Sequence, residues 1–459
     1  MSQLFLDYFK CPPEFVSFTP SGAVSGRKRF FRFGADLVCY GGCASRQVRE
    51  RRNGPMEDVL DLVQMGRNSC QLPFDPDEVV DNLRLERYLP AMSSSRSESA
   101  RNDILRSAYY RVRPLLPVAV RKHLQRVALR GWNQRPFPKW PVDHTVDSIL
   151  EKLCALALQV SGAKAIPFIW FWPDGFRAVA TMTHDVETTR GRDSCIALMD
   201  LNDSFGMKSS FQFVPEERYA IPDRLFGLVR ERGFEINVHD LNHDGLLFRN
   251  RQEFLRRAAK INQYVRKFNA VGYRSGALYR NPDWYDAFEF SYDMSFPNVA
   301  HLDPQSGGCC TTKPYFIGKI LELPVTAAQD YTLFHILEQY SAELWKTQVE
   351  LILGKHGMAN FVVHPDYVMD ARPRKIYAEL LEYLSDRRRD SKMWIALPRE
   401  VDAWWRARKE MTLVCDHGNW RIEGPESQRA RIAFARIENN RLVYDLQLHA
   451  NGLLAQPVS

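Results

Sequence analysis

The sequence predicts an α/β protein in which parallel strands alternate with helices from about residue 160 to residue 408. Three observations carry this. Compact β-type runs recur at Ala178 to Thr183, Ser209 to Val214, Phe234 to His239, Ala270 to Ser275, Ile320 to Thr326, Ala359 to His364 and Met393 to Leu397. Helical stretches lie between them, clearest where Phe254, Ala258, Ile261, Val265 and Phe268 follow one face at four- and three-residue steps. Polar residues then collect where the strands end, at Asp185, His239, Arg274 and His364. Such alternation gives a parallel sheet or a (β/α) barrel of about seven strands, and barrels build their sites at that carboxyl rim.

Taken in order, residues 1–150 read as an irregular N-terminal accessory region. Short apolar segments, Phe15 to Phe18 and Leu37 to Tyr40, are separated by Gly, Pro and charge, and a Ser-rich linker runs from Met92 to Ser99. From Arg101 to Arg135 nine Lys or Arg residues face one acid, Asp103. Pro117 suits a first helical turn, and Val120, Leu124, Val127 and Ala128 follow at helical spacing. With Arg121, Lys122, Arg126 and Arg130 this makes a basic amphipathic helix over 117–130. Two readings stay open for it: peripheral contact with an anionic membrane surface, or packing on the barrel with a solvated cationic face. The barrel segment is expected over 160–408. A small antiparallel β appendage follows over 411–450, with runs at Thr412 to Cys415, Trp420 to Glu423, Arg431 to Arg436 and Arg441 to Leu446 and a turn at Glu438-Asn439-Asn440.

Composition narrows the class. Of 459 residues, 45% are hydrophobic and 25% charged, which excludes a chain that is disordered or fibrous throughout. No apolar run reaches the roughly 18 residues of a spanning helix. The N-terminus, Met1-Ser2-Gln3-Leu4-Phe5-Leu6-Asp7, has no basic region before an apolar stretch, so no secretory signal is expected. Nine cysteines, an odd number, do not describe a disulfide framework, and Cys309-Cys310 read as free thiols. A cytoplasmic location follows as the expectation, with inner-membrane association if 117–130 binds lipid. A net charge of +7 is mild for this length, and no recognition motif accompanies the basic segment, so nucleic-acid binding is not expected.

Two segments carry chemistry. His239-Asp240-Leu241-Asn242-His243 places two histidines four apart, which on a helical turn brings both ring nitrogens to one ion. Composition alone gives roughly a one-in-four chance of such a pair, and the alternative is two core or surface histidines. Asp185 and Glu187 are two apart at a strand end and share a face, so one can ligate a metal while the other handles protons. The alternative there is a helix cap followed by a first-turn acid. Asp240 is either a partner for a ligand histidine or a solvated turn residue. For Asp330 and Glu322, packing or capping is favoured.

Together these pieces resemble the polysaccharide deacetylase family, the carbohydrate esterase family four type, over about Arg177 to Trp405. Met182-Thr183-His184-Asp185-Val186-Glu187 is similar to its first motif, His239 and His243 to its second, and Gly272-Tyr273-Arg274-Ser275-Gly276 to its third. Ser291 to Pro297 is similar to the fourth and Val362-Val363-His364-Pro365 to the fifth, all in family order. The resemblance implies a distorted (β/α) barrel and a divalent metal, zinc by preference, held by Glu187, His239 and His243. It implies Asp185 as base and Glu187 as ligand, with exchange of these two roles open, Arg274 as holder of the base and His364 as general acid. Asp293 and Tyr292 would line the substrate groove, with the Ala277 backbone N–H near the oxyanion. Three departures mark a divergent member: the acids are two apart rather than adjacent, Arg274-Ser275-Gly276-Ala277 lacks the proline and tyrosine usual in the third motif, and no export signal is expected where most relatives are exported. The function implied is removal of an N-acetyl group from an amino sugar in surface or exopolysaccharide synthesis. The competing readings are hydrolysis of a small non-sugar C–N bond and a carbohydrate-binding protein without turnover.

Overall fold

The computed structural model describes residues 2–15, 17–22, 24–44, 56–67, 69–92, 129, 131–390 and 392–446. The basic helix expected over 117–130 therefore lies outside the described residues, apart from Leu129. The chain forms two compact units, one from residues 1–91, 144–176 and 404–459, the other from 92–143 and 177–403. The segments read from the sequence as separate N-terminal and C-terminal regions thus share the first unit.

In that first unit the hairpin of Ile432–Glu438 with Arg441–Leu446 pairs antiparallel with Ile166–Ile169, so the C-terminal strands complete a sheet begun far earlier in the chain. Asn439 and Asn440 turn the hairpin with φ of 50° and 61°, the left-handed pair that a tight two-residue loop needs. Residues 1–91 are more ordered than the sequence suggests. A helix (Pro76–Arg84) starts on an Asp75 cap with Pro at its first position, and Phe18–Pro20, Gln64–Gly66 and Ser69–Leu72 form a three-stranded sheet. Strands of three or four residues are too short to show a period, which is why they read as loop. The fully buried Arg408 guanidinium donates to the carbonyls of Tyr8, Ile169 and Trp170, joining three separate stretches of this unit.

The second unit holds the expected barrel sheet. Its strands are β1 (Ala178–Val186), β2 (Ser210–Phe213), β3 (Glu235–His239), β4 (Gly272–Arg274), β5 (Tyr292–Asp293), β6 (Tyr315–Ile317), β7 (Ile320–Glu322), β8 (Met358–Val363) and β9 (Met393–Ile395). All seven expected strands are present, and β5 and β6 are additional, two and three residues long. The order is β6-β7-β5-β4-β3-β2-β1-β8, parallel throughout except for the β6–β7 hairpin. Strand β1 is buried along its whole length, as a parallel strand covered on both faces must be. Strand β2 pairs with Thr183–Val186 and β9 with Ala178–Ala180. With β8 along the other edge, β2 and β9 divide one edge of β1, and this distorts the barrel.

Between β7 and β8 the closure is made largely by side chains. Asn360 donates to the Leu323 carbonyl at 3.0 Å, Thr326 Oγ1 to the Met358 carbonyl at 2.7 Å, and the Ala327 amide to the Asn360 carbonyl at 3.3 Å. Helices α1 (Thr189–Ser204), α2 (Asp223–Glu231) and α3 (Arg251–Lys267) follow β1, β2 and β3, in the strand–helix alternation read from the sequence. Among the described residues, no helix is long and apolar enough to cross a membrane. All nine cysteines are free thiols, eight of them buried, Cys309 and Cys310 included.

Candidate metal and acid–base centre

The carboxyl ends of β1, β3, β4 and β8 deliver the site. Val186 ends β1, and its carbonyl accepts from the Tyr219 hydroxyl, which itself accepts from the Val214 amide at 3.0 Å. This ties the end of β1 to the end of β2 just before Glu187. Thr188 then caps α1, taking the Gly191 amide at 3.0 Å and donating to Asp366 at 3.0 Å. Glu187 is thereby held between a pinned strand end and a capped helix.

His239 ends β3, and its Nδ1 lies 3.1 Å from the Arg274 carbonyl, a contact that orients the ring and leaves Nε2 facing inward. The segment to His243 is not the helical turn the spacing predicts. Asp240 and His243 have φ of 54° and 55°, which a right-handed turn cannot contain, and the chain runs as an irregular loop. His243 still reaches the same point, fixed by Arg218, which donates to its carbonyl at 2.5 Å. One ligand atom each from Glu187, His239 and His243 lies within 4.8 Å of the others. Glu187 Oε1 is 2.9 Å from His243 Nε2 and 3.6 Å from His239 Nε2, yet neither imidazole nitrogen makes a directed hydrogen bond. Two buried, undirected ring nitrogens converging on a carboxylate fit a cation better than they fit one another.

Electrostatics agree. Burial alone would raise the Glu187 carboxyl, but the facing imidazoles, His243 first, hold it well below the usual carboxylate range. Burial would also raise Asp185, yet the Arg274 guanidinium beside it keeps it low. Two ionised carboxylates in a nearly closed site raise the affinity of His239 for a proton, against its own burial. The field there favours positive charge.

Arg274, fully buried, donates from Nη1 to Asp185 Oδ1 at 2.6 Å and from Nε to the Met294 carbonyl at 2.9 Å. Asp185 Oδ2 faces His239 Nε2 at 3.7 Å. On the opposite side, His364 Nδ1 lies 2.6 Å from Asp330 Oδ1, and Asp330 Oδ2 takes the His364 amide at 2.7 Å. His364 Nε2 points to Glu187 Oε1 at 3.4 Å. Burial would lower this imidazole, but the Asp330 carboxylate raises it well above its ordinary value. Asp330, read from the sequence as packing or capping, is thus the residue that orients His364. No local signal marks it, because it meets His364 across 34 residues of chain.

Other expected roles need correction. Tyr292 and Asp293 are both fully buried and cannot line a groove. Adjacent residues of β5 point to opposite faces. The Tyr292 hydroxyl donates to Glu235 at 2.5 Å and accepts from Asn237 at 2.6 Å. Asp293 accepts from Tyr285 at 2.7 Å and from Ser295 at 2.6 Å, and Ser295 Oγ takes the Ser275 amide at 2.8 Å. Asp293 therefore supports the turn after Arg274 from within. Glu322 sits beside it on β7, and burial, reinforced by the Asp293 charge, pushes the Glu322 carboxyl well up. Ala277 is half-buried in the turn after β4, with φ of 53°. Asp240 is buried and bonds neither histidine. Its Oδ1 takes the Leu241 amide at 2.7 Å, and its own amide donates to the Arg274 carbonyl at 2.8 Å. His184 is a core histidine: burial pushes it down to about 3, and its ring meets the Val363 carbonyl and Asn202.

No protein-family model matches this chain, and no curated protein matches it. Some solved structures are similar to it. A candidate polysaccharide deacetylase from Mycobacterium smegmatis aligns at 18% identity over 54% of this chain and 97% of its own, with a TM-score of 0.44. The allantoinase Puue aligns at 12% identity over 51% and 92%, with a TM-score of 0.41. A family 4 acetyl xylan esterase from Clostridium thermocellum, solved in complex with cobalt, aligns at 13% over 49% and 91%, with a TM-score of 0.32. Likenesses this distant carry no assignment for this chain, and the chemistry has to be argued from its own residues.

Proposed function

We propose that this chain is a metal-dependent hydrolase that removes an N-acetyl group from an amino sugar of a glycan or glycan precursor. The observation that carries the reading is the arrangement of three groups around one point: a Glu187–His239–His243 donor set, an Arg274-held carboxylate and an Asp330-held histidine. Two nitrogen donors and one carboxylate with a further position left to solvent or substrate suit zinc. Such an ion, when bound, supplies polarisation of the acyl carbonyl and activation of a water.

The remaining work belongs to the chain. Asp185, kept ionised by Arg274, takes the proton of the attacking water. Arg274 occupies one oxygen of Asp185 and leaves Oδ2 toward the donor set, which favours Asp185 as base and Glu187 as ligand. His364, kept protonated by Asp330, gives its Nε2 proton to the departing amine. The turn at Ala277 would offer a backbone N–H to the oxyanion. The order of motifs along the chain supports an acetamido sugar as substrate, within surface or exopolysaccharide synthesis.

Metal content and acetate release test this together. The full chain, purified and assayed on N-acetylglucosamine oligomers, should hold about one divalent ion and release acetate, and chelation should abolish release. A protein with stoichiometric metal that frees no acetate from any acetylated amino sugar overturns the substrate; one that retains no metal overturns the mechanism.

A further inference from the structure

Among the described residues, the histidine opposite Asp185 has aromatic company on the side of Tyr367. The ring of Tyr367 lies 4.9 Å from that of His364, tilted by 40°. Tyr331 lies 5.9 Å from Tyr367, and His335 lies 5.1 Å from Tyr367 and 5.3 Å from Tyr331. These three rings and His364 form one contiguous aromatic surface. Its outer members, Tyr331, His335 and Tyr367, are partly exposed, whereas aromatic residues that serve packing in the same unit, such as Trp345 and Tyr377, are fully buried.

The backbone is built to present this surface. Thr332–Ile336 is a π-helical turn, closed by the Leu337 amide on the Thr332 carbonyl at 2.9 Å. Such turns are rare and are found frequently at functional positions. Within this one the ring of His335 lies beside that of Tyr331. The segment also begins at Asp330, so one stretch of chain both holds the His364 imidazole and sets the rim next to it. Tyr367 reaches the same place from the short turn after β8. Its hydroxyl has no hydrogen-bond partner among the described residues, and burial followed by the Glu187 charge keeps it a neutral phenol. A partly wet ring face with an unspent hydroxyl matches a sugar ring, whose apolar C–H face stacks on aromatics while its hydroxyls need polar partners.

We propose that Tyr331, His335 and Tyr367 form an aromatic wall that binds an N-acetylhexosamine ring beside the acetamide group, on the proton-donor side of the site. This rests on the deacetylase reading of the same centre and adds to it where the sugar lies.

The test is equilibrium binding of tri-N-acetylchitotriose to the full, metal-loaded chain, followed by titration calorimetry, with acetate release measured on the same sugar. Tyr331→Ala and Tyr367→Ala should each weaken binding about 3- to 10-fold, the range expected for one aromatic contact, and should raise KM more than they lower kcat. Tyr331→Phe, which keeps the ring, should restore affinity to near the wild-type value. Metal content of each variant checks that the centre is intact. Alanine variants that bind as tightly as wild type overturn the wall, as does a Tyr331→Phe protein as weak as Tyr331→Ala. Wild-type protein that does not bind the trisaccharide overturns it too. Sugar that binds through these rings but loses no acetate would sink the deacetylase reading and leave the wall standing. Acetate released with an unchanged KM in the alanine variants would do the reverse.

Discussion

Glutamine in place of Glu235 should make the protein more stable than wild type above neutral pH and slightly less stable in acid. Glu235 opens β3, the strand that ends in His239, and its side chain is buried under the sheet. Burial pushes its carboxyl from 4.5 up to about 7, even though Tyr292 and the Arg399 amide donate to it. The folded state thus binds this proton more tightly than the unfolded state does. Stability from this group is fully present below pH 4.5 and is lost as pH rises through 7. The difference of about 2.5 units is worth about 3 kcal/mol at 1.36 kcal/mol per unit. Glutamine carries no such charge. It loses one hydrogen bond where its amide group meets the Arg399 N–H, which costs about 1 kcal/mol at every pH. Urea unfolding of both proteins from pH 4.5 to 8 should give curves that cross. Wild type should lead in acid by about 1 kcal/mol and trail by about 2 kcal/mol above pH 7.5. Two curves that stay parallel across this window would refute the reasoning, because other groups titrate alike in both proteins.

Further outcomes follow from the site. His239→Ala and His243→Ala should lose most of their bound divalent ion, read by elemental analysis of purified protein, since each removes one of three protein donors; a variant that retains it unchanged removes that residue from the donor set. Asp185→Asn and His364→Ala should keep metal while kcat on acetylated sugar falls about 10²–10⁴-fold. Metal lost from Asp185→Asn and kept by Glu187→Gln would exchange the roles of the two acids. Asp330→Asn should move the alkaline limb of the kcat profile to lower pH, because the carboxylate that keeps His364 protonated has gone; an unmoved limb assigns that limb to another group. Gly276→Ala should impair metal binding and stability together, since a Cβ there would lie 2.4 Å from Asp240 Oδ2 and 3.1 Å from the His243 ring; a variant with normal metal content and melting temperature shows that the loop yields.

What could be read from the sequence had a local cause. The seven main strands were legible because buried parallel strands are apolar runs with polar ends, and Asp185, His239, Arg274 and His364 lie at those ends. The conformation between His239 and His243 was not, because spacing of four fits a helical turn and cannot show that Asp240 and His243 adopt positive φ. Tyr292 and Asp293 were misplaced for a related reason. A two-residue strand leaves no alternation to read, so their burial on opposite faces, against Glu235 and Glu322, had no sign in the sequence. Asp330 meets His364, and Tyr331 meets Tyr367, across the join between β7 and β8, between residues far apart in sequence.

The closure between β7 and β8 bears on motion as well as shape. Ladder bonds rupture and reform as a row, but the bonds of Thr326 and Asn360 are few and individually placed. The amides of Ala327 and Ala328 should therefore exchange with solvent sooner than those of β1, which has partners along both edges. Asp330 leaves one bank of this gap and His364 leaves the other, so their hydrogen bond bridges this join. An opening of the join would part the imidazole from its carboxylate, and closing would restore the pair. The histidine proposed as proton donor would then sit on the part of the wall expected to open first, while Glu187, the proposed ion ligand, follows the end of β1.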